Sequence, residues 1–205
     1  MQPASTPPAR PPTLADGHTF YYAGSADPTG DQGVWNLEER LSDVEPHLEL
    51  RPTDRVLDAG CAEGLITLTL APRVREIHGL ELLPARVERA AELARERGID
   101  NAHFDVGSVA EAQPQAQSFD VVLLLGVIQH LDPAHRAPTL ARMFDAAQRR
   151  LIVRAPFFRR PQLNLAGDLR QAFGSADEAR CAIYPNLRER GGDLLVVDRI
   201  DAQGN

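Results

Sequence analysis

The chain has 205 residues, enough for one well-buried core and too few for two ordinary domains. Its 29 acidic residues outnumber 22 basic ones, a net charge of −7 that argues against a protein held mainly by a phosphate backbone. Two cysteines, Cys61 and Cys181, exclude a disulfide framework, and no apolar run approaches the roughly 18 residues of a membrane span.

Residues 1–16 carry five prolines and little that could be buried, so a disordered tail is expected. This start lacks the basic and apolar parts of a secretion signal, which points to a cytoplasmic protein. Residues 17–50 form a second segment. It opens with Phe20, Tyr21 and Tyr22, passes a Gly/Ser/Asp/Pro-rich loop, and continues through Trp35 into a helical stripe of Val34, Leu37, Leu41, Val44 and Leu48. Pro46 predicts a break or kink in that helix near Glu45.

From residue 51 onward strands and helices alternate. Arg55–Ala59, Glu76–Leu82, Ala102–Val106, Phe119–Leu125 and Arg150–Ala155 read as strands. Helices are predicted from Leu65, between Pro84 and Gly98, over Ala134–Gln148 and near Asp168–Ala179. Cys181–Tyr184 and Asp193–Ile200 fit a closing antiparallel pair. The order is that of an open α/β sheet occupying residues 51–205, with one nearly continuous apolar strand at its centre.

Val56-Leu57-Asp58-Ala59-Gly60-Cys61-Ala62-Glu63-Gly64 is the most informative stretch. A strand delivers the chain to the carboxyl edge of the sheet, and Gly60 and Gly64 let the backbone turn tightly beside a ligand. The dinucleotide fingerprint fails here, because Ala62 and Leu65 stand where glycines are needed. The P-loop fails because all 22 basic residues are arginine and there is no lysine. Schiff-base chemistry from a side-chain amine is excluded for the same reason. About twenty residues on, Glu81 ends the second strand, where a carboxylate can accept hydrogen bonds from ribose hydroxyls.

Together Val56–Gly64, Glu81, the Phe119-Asp120-Val121-Val122 strand and the closing hairpin resemble a class I S-adenosylmethionine-dependent methyltransferase. The likeness runs from about Arg55 to Ile200, roughly 70% of the chain. It implies a Rossmann-like, mostly parallel seven-stranded sheet with helices on both faces. It also implies that Asp58, Ala59, Gly60, Cys61 and Gly64 line the amino-acid end of the cofactor, that Glu81 holds the ribose, and that Leu82 lies against the adenine. Ser108 stands where the family often has an aspartate; its hydroxyl and the Val109 backbone N–H would serve the adenine. Leu125 and Gly126 would border the reactive methyl, whose transfer leaves S-adenosylhomocysteine.

After the fourth strand come Gly126-Val127-Ile128-Gln129-His130-Leu131-Asp132. The Asn/Asp-Pro-Pro-aromatic motif of planar-nitrogen methylation is absent, which counts against nucleobase and amide N-methylation. His130 is a candidate general base, and a strand-end packing role fits it as well. Gln129 would orient the acceptor or the cofactor amino group. The six histidines show no i, i+4 pairing, so no metal is expected.

For the acceptor, Tyr21, Tyr22 and Trp35 are lid candidates that equally suit core packing. Residues 146–205 hold ten arginines against seven acids, and the cluster Arg149, Arg150, Arg154, Arg159 and Arg160 suits either an anionic acceptor or a solvated face. Taken with the acidic charge, these features favour a small-molecule acceptor methylated on oxygen, no nucleic acid, no membrane, and a homodimer as a candidate assembly. A tRNA or protein methyltransferase, or a non-catalytic binding protein of the same fold, is the alternative.

Overall fold

The computed structural model of the chain describes residues 41–156, 165–174, 179–185 and 192–200. The tail, Tyr21, Tyr22, Trp35, Arg159 and Arg160 lie outside the described residues.

Residues 41–48 are helical (α1). Then follow β1 (Arg55–Ala59), α2 (Leu65–Leu70), β2 (Glu76–Glu81), α3 (Pro84–Glu96), β3 (Ala102–Val106) and β4 (Phe119–Leu125). The chain continues through α4 (Pro133–Ala146), β5 (Ala147–Pro156), α5 (Leu165–Phe173), β6 (Ala179–Pro185) and β7 (Gly192–Arg199). The seven strands run β3-β2-β1-β4-β5-β7-β6 across one sheet. β1 to β5 are parallel, and β7 enters antiparallel between β5 and β6. The α/β expectation is met strand for strand.

Strand alternation sorts the core into two layers. Leu57, Ala59, Val122, Leu124, Leu151 and Val153 pack with Leu140, Met143 and Phe144 of α4 and Leu165 and Leu169 of α5. On the other face Val56, Ile77, Val121, Leu123 and Ile152 pack with Val44 and Leu48 of α1 and Ile66 and Leu70 of α2. Leu123 and Leu124 point to opposite faces and are both fully buried, as a central parallel strand requires. The β3–β4 connection, residues 107–118, contains turns and no helix, and Val109 and Ala112 are its anchors on the α4 face.

Three expectations are corrected. The helix does not end near Glu45; it runs through Pro46 to residue 48. Proline removes one N–H from the ladder, but Val44 and Leu48, both fully buried, hold that turn on the sheet. The helix before β5 gives way to strand at Ala147, so β5 begins three residues before the expected Arg150. α5 spans Leu165–Phe173 rather than the stretch after Asp168, because Gly174, at φ +55°, closes it with an N–H to the Arg170 carbonyl at 2.9 Å. Among the described residues no helix is long and apolar enough to cross a membrane.

Candidate active site

Connections from β1 run toward β2 and β3, and those from β4 run toward β5. The order therefore reverses between β1 and β4, and the crevice beyond their carboxyl ends is where ligands of open α/β sheets bind. The turn after β1 and the turn after β4 meet there: a Cβ built on Gly60 would stand 2.3 Å from Val127 Cγ2.

The β1 turn is stitched to β2. Gly60 and Cys61 both donate their N–H to the Leu80 carbonyl, at 2.7 and 3.1 Å, and Gly64 donates to the Cys61 carbonyl at 2.9 Å. Gly60, at φ +89°, and Gly64, at φ +74°, use the left-handed conformations that glycine adopts without strain. Space is short as well as torsion: a Cβ on Gly64 would stand 2.7 Å from Phe104 Cε1.

Two carboxylates sit at this edge. Asp58, 2% exposed, accepts a 2.6 Å hydrogen bond from the Thr67 hydroxyl on α2. Glu81, 7% exposed, accepts from the backbone N–H of Ala62 at 3.1 Å on one oxygen and of Leu83 at 3.0 Å on the other. Each oxygen has a second acceptor direction, so the anchored carboxylate can still receive two hydroxyls. Cys61 is buried between them. Burial first, then the Asp58 and Glu81 charges, push its thiol far above the ordinary range, so it stays protonated and unreactive.

Beyond β4, Gly126 donates to the Arg154 carbonyl at 2.8 Å, and residues 128–130 form a single 3-10 turn. Gln129 is 4% exposed; its amide nitrogen donates to the Gly126 carbonyl at 2.7 Å, and its oxygen is buried without a hydrogen-bond partner. His130 is half-buried on the same turn, its N–H bonded to the Val127 carbonyl at 2.8 Å. Leu82 and Ser108 are half-buried, Val109 is buried in the α4-side core, and Gly107 donates to the Glu81 carbonyl at 2.9 Å.

The structure thus gathers Asp58, Ala59, Gly60, Cys61, Gly64, Glu81, Leu125, Gly126, Gln129 and His130 onto the carboxyl edge of β1, β2 and β4. Arg154 is 9% exposed and held by Asp43, with Nη2 at 2.9 Å. Arg149 is paired to Asp54 at 2.6 Å, and Arg150 to Asp198 and, at 2.9 Å, to Glu49. These three arginines are matched to acids from elsewhere in the chain instead of forming a free cationic patch. Thr67 and Val127 belong to the site but carried no sequence signal, because helix packing and loop contact put them there.

The cradle fits S-adenosylmethionine on the chemistry of its donors and acceptors. The buried, unpartnered Gln129 oxygen can accept from an ammonium, and the Glu81 carboxylate from vicinal hydroxyls.

A family model described as a methyltransferase domain matches residues 56–149. An uncharacterized RNA methyltransferase of Nostoc sp. is 40% identical over 88 residues, covering 42% of this chain and 19% of that protein. The 23S rRNA (uracil(1939)-C(5))-methyltransferase RlmD of Xanthomonas euvesicatoria pv. vesicatoria is 44% identical over 81 residues, 38% of this chain and 18% of its own length. The match thus spans under a fifth of these curated relatives. Magnesium protoporphyrin IX methyltransferase from Synechocystis PCC 6803, solved with bound S-adenosylmethionine, superposes with a TM-score of 0.65 at 22% identity, covering 87% of this chain and 86% of that one.

The curated relatives overturn the expected small-molecule acceptor and the reading against nucleic acid, since their names assign them to RNA. Net charge was the wrong guide: it sums over the whole surface and describes no single face. Residues 56–149 match a methyltransferase domain, and the sheet has the fold of a solved S-adenosylmethionine-binding methyltransferase.

Proposed function

We propose that this chain transfers the methyl group of S-adenosylmethionine to an oxygen of an RNA acceptor. The observation that carries the cofactor half is the Glu81 carboxylate, oriented in advance by two backbone N–H groups at the carboxyl end of β2. Support for RNA comes from the curated relatives, whose names are those of RNA methyltransferases and which this chain matches over under a fifth of their length.

Bound cofactor supplies an electrophilic methyl carbon on a sulfonium, so the chain's task is alignment and proton management. In this reading Glu81 holds the ribose and Asp58, fixed by Thr67, faces the amino-acid end with the Gln129 oxygen. Leu82, Ser108 and Val109 border the adenine. His130, on the turn that touches the β1 loop through Val127, takes the acceptor proton.

Cysteine placement favours a heteroatom acceptor over a ring carbon, which needs a thiolate or similar nucleophile to raise its reactivity. Cys61 is buried and protonated. Cys181 sits on β6, four strands from β1, or about 19 Å at ordinary strand spacing.

The test is incorporation of labelled methyl from S-adenosylmethionine into deproteinised total RNA, compared with Glu81→Ala. Label in RNA that disappears with the variant, and binding that weakens with salt, is the expected result. A protein that binds the cofactor yet leaves RNA unlabelled overturns the acceptor assignment.

A further inference from the structure

At the opposite end of β2 from Glu81 lies a second group of polar side chains. Register pairs His78 on β2 with His103 on β3, their rings 5.0 Å apart between centroids. Glu76, two residues before His78, points to the same face by strand alternation. One ligand atom from each of Glu76, His78 and His103 can be chosen so that all three lie within 4.8 Å of one another. We propose that Glu76, His78 and His103 form a binding site for a divalent transition-metal ion of the zinc or cobalt type.

Donor chemistry selects that class: two imidazoles and one carboxylate suit a four-coordinate ion whose remaining position is taken by water. Ligand atoms around such an ion stand about 3.5 Å apart, so side-chain rotation of about 1 Å closes the set. The His78 Nε2 is buried without a hydrogen-bond partner, an orphaned nitrogen that a metal would satisfy.

Access follows from the fold. The β3–β4 connection carries no helix, and the Phe119 ring at the start of β4 stands 5.5 Å from His78. His103 is exposed, and Glu76 and His78 are about one quarter exposed. Charges facing the group are mixed. Arg55 on β1 bonds Glu76 Oε1, Arg75 approaches the same oxygen at 3.9 Å, and the negative Asp105 on β3 acts on His78. The two guanidiniums compete with a metal for Glu76, which sets the site apart from a tight structural zinc centre.

Among the described residues β3 is an edge strand paired only with β2, so a bound ion would latch it in register. Five residues along β2, or about 16 Å, separate Glu76 from Glu81, and the ion would take no part in methyl transfer.

The probe is Co²⁺ followed by visible absorption, with Zn²⁺ calorimetry and melting in parallel, on untagged full chain carrying Cys181→Ser to remove the exposed thiol. The expected result is one equivalent bound with tetrahedral cobalt absorption and a raised melting temperature. His103→Ala, at an exposed position, should weaken binding about tenfold or more while keeping the fold. Binding no tighter than about 1 mM, or full affinity retained in both His103→Ala and His78→Ala, would overturn the site.

Discussion

The Glu81 carboxylate accepts a hydrogen bond from the backbone N–H of Ala62, a non-glycine residue at φ +53°. A side chain in that left-handed conformation costs about 1–2 kcal/mol, and the charged acceptor offsets it. The same carboxylate therefore shapes the β1 loop and, in the proposed function, holds the ribose. Glu81→Gln leaves one acceptor oxygen where two N–H groups need one each. Cofactor affinity should fall about tenfold or more, with a loss of about 1–3 kcal/mol in stability. Calorimetry with S-adenosylmethionine and a denaturant titration measure the two effects separately.

Gly60 is constrained twice, by its φ of +89° and by Val127 Cγ2 at 2.3 Å from any added Cβ. Gly60→Ala should destabilise the chain by about 2 kcal/mol or more and abolish measurable cofactor binding. Gly98 provides the control, because its φ is positive but nothing lies within 4 Å. Gly98→Ala should lose about 1 kcal/mol and keep cofactor affinity. Equal behaviour of the two variants in binding would separate the glycine turn from the cofactor site.

Arg154 and Asp43 form a pair whose side chains are 10% and 5% exposed. Removing the guanidinium leaves a buried carboxylate without its cation, so Arg154→Met should cost about 3 kcal/mol. The effect belongs on the melting temperature and not on the Michaelis constant for acceptor. The double variant Asp43→Asn/Arg154→Met should recover part of the loss.

Asp168, in the first turn of α5, has one carboxylate oxygen buried without a partner. Burial raises its pKa above the ordinary 3.8, opposed by Arg136. A folded-state pKa above the unfolded one means the folded protein binds the proton more tightly. Its contribution is therefore unfavourable at neutral pH and is relieved as pH falls through the raised pKa toward 3.8. Asp168→Asn should melt higher than the wild type at pH 7, with the gap narrowing toward pH 3.8, as a series of thermal melts would record.

Strand and turn chemistry is local, and for that reason much of the fold is legible in the sequence. The Asp58–Gly64 turn, the placement of Glu81 and the seven strands follow from apolar periodicity and glycine spacing, which act over a few residues. The helix through Pro46 was not readable, because what holds it is burial of Val44 and Leu48 against distant strands.

The sequence by itself determined an acidic, lysine-free α/β domain with a glycine turn after its first strand. Register and crossover decided the rest. Thr67 reaches Asp58 only because α2 packs on β1, and Val127 meets Gly60 only because β4 lies beside β1. Linear histidine spacing spoke against a metal, yet His78 and His103, 25 residues apart, stand side by side once β2 and β3 pair. Arg149, Arg150 and Arg154, three arginines of one linear cluster, are divided among Asp43, Asp54, Glu49 and Asp198. Charge and side-chain type are properties of a sequence, whereas distance between residues remote in the chain exists only after the strands have paired.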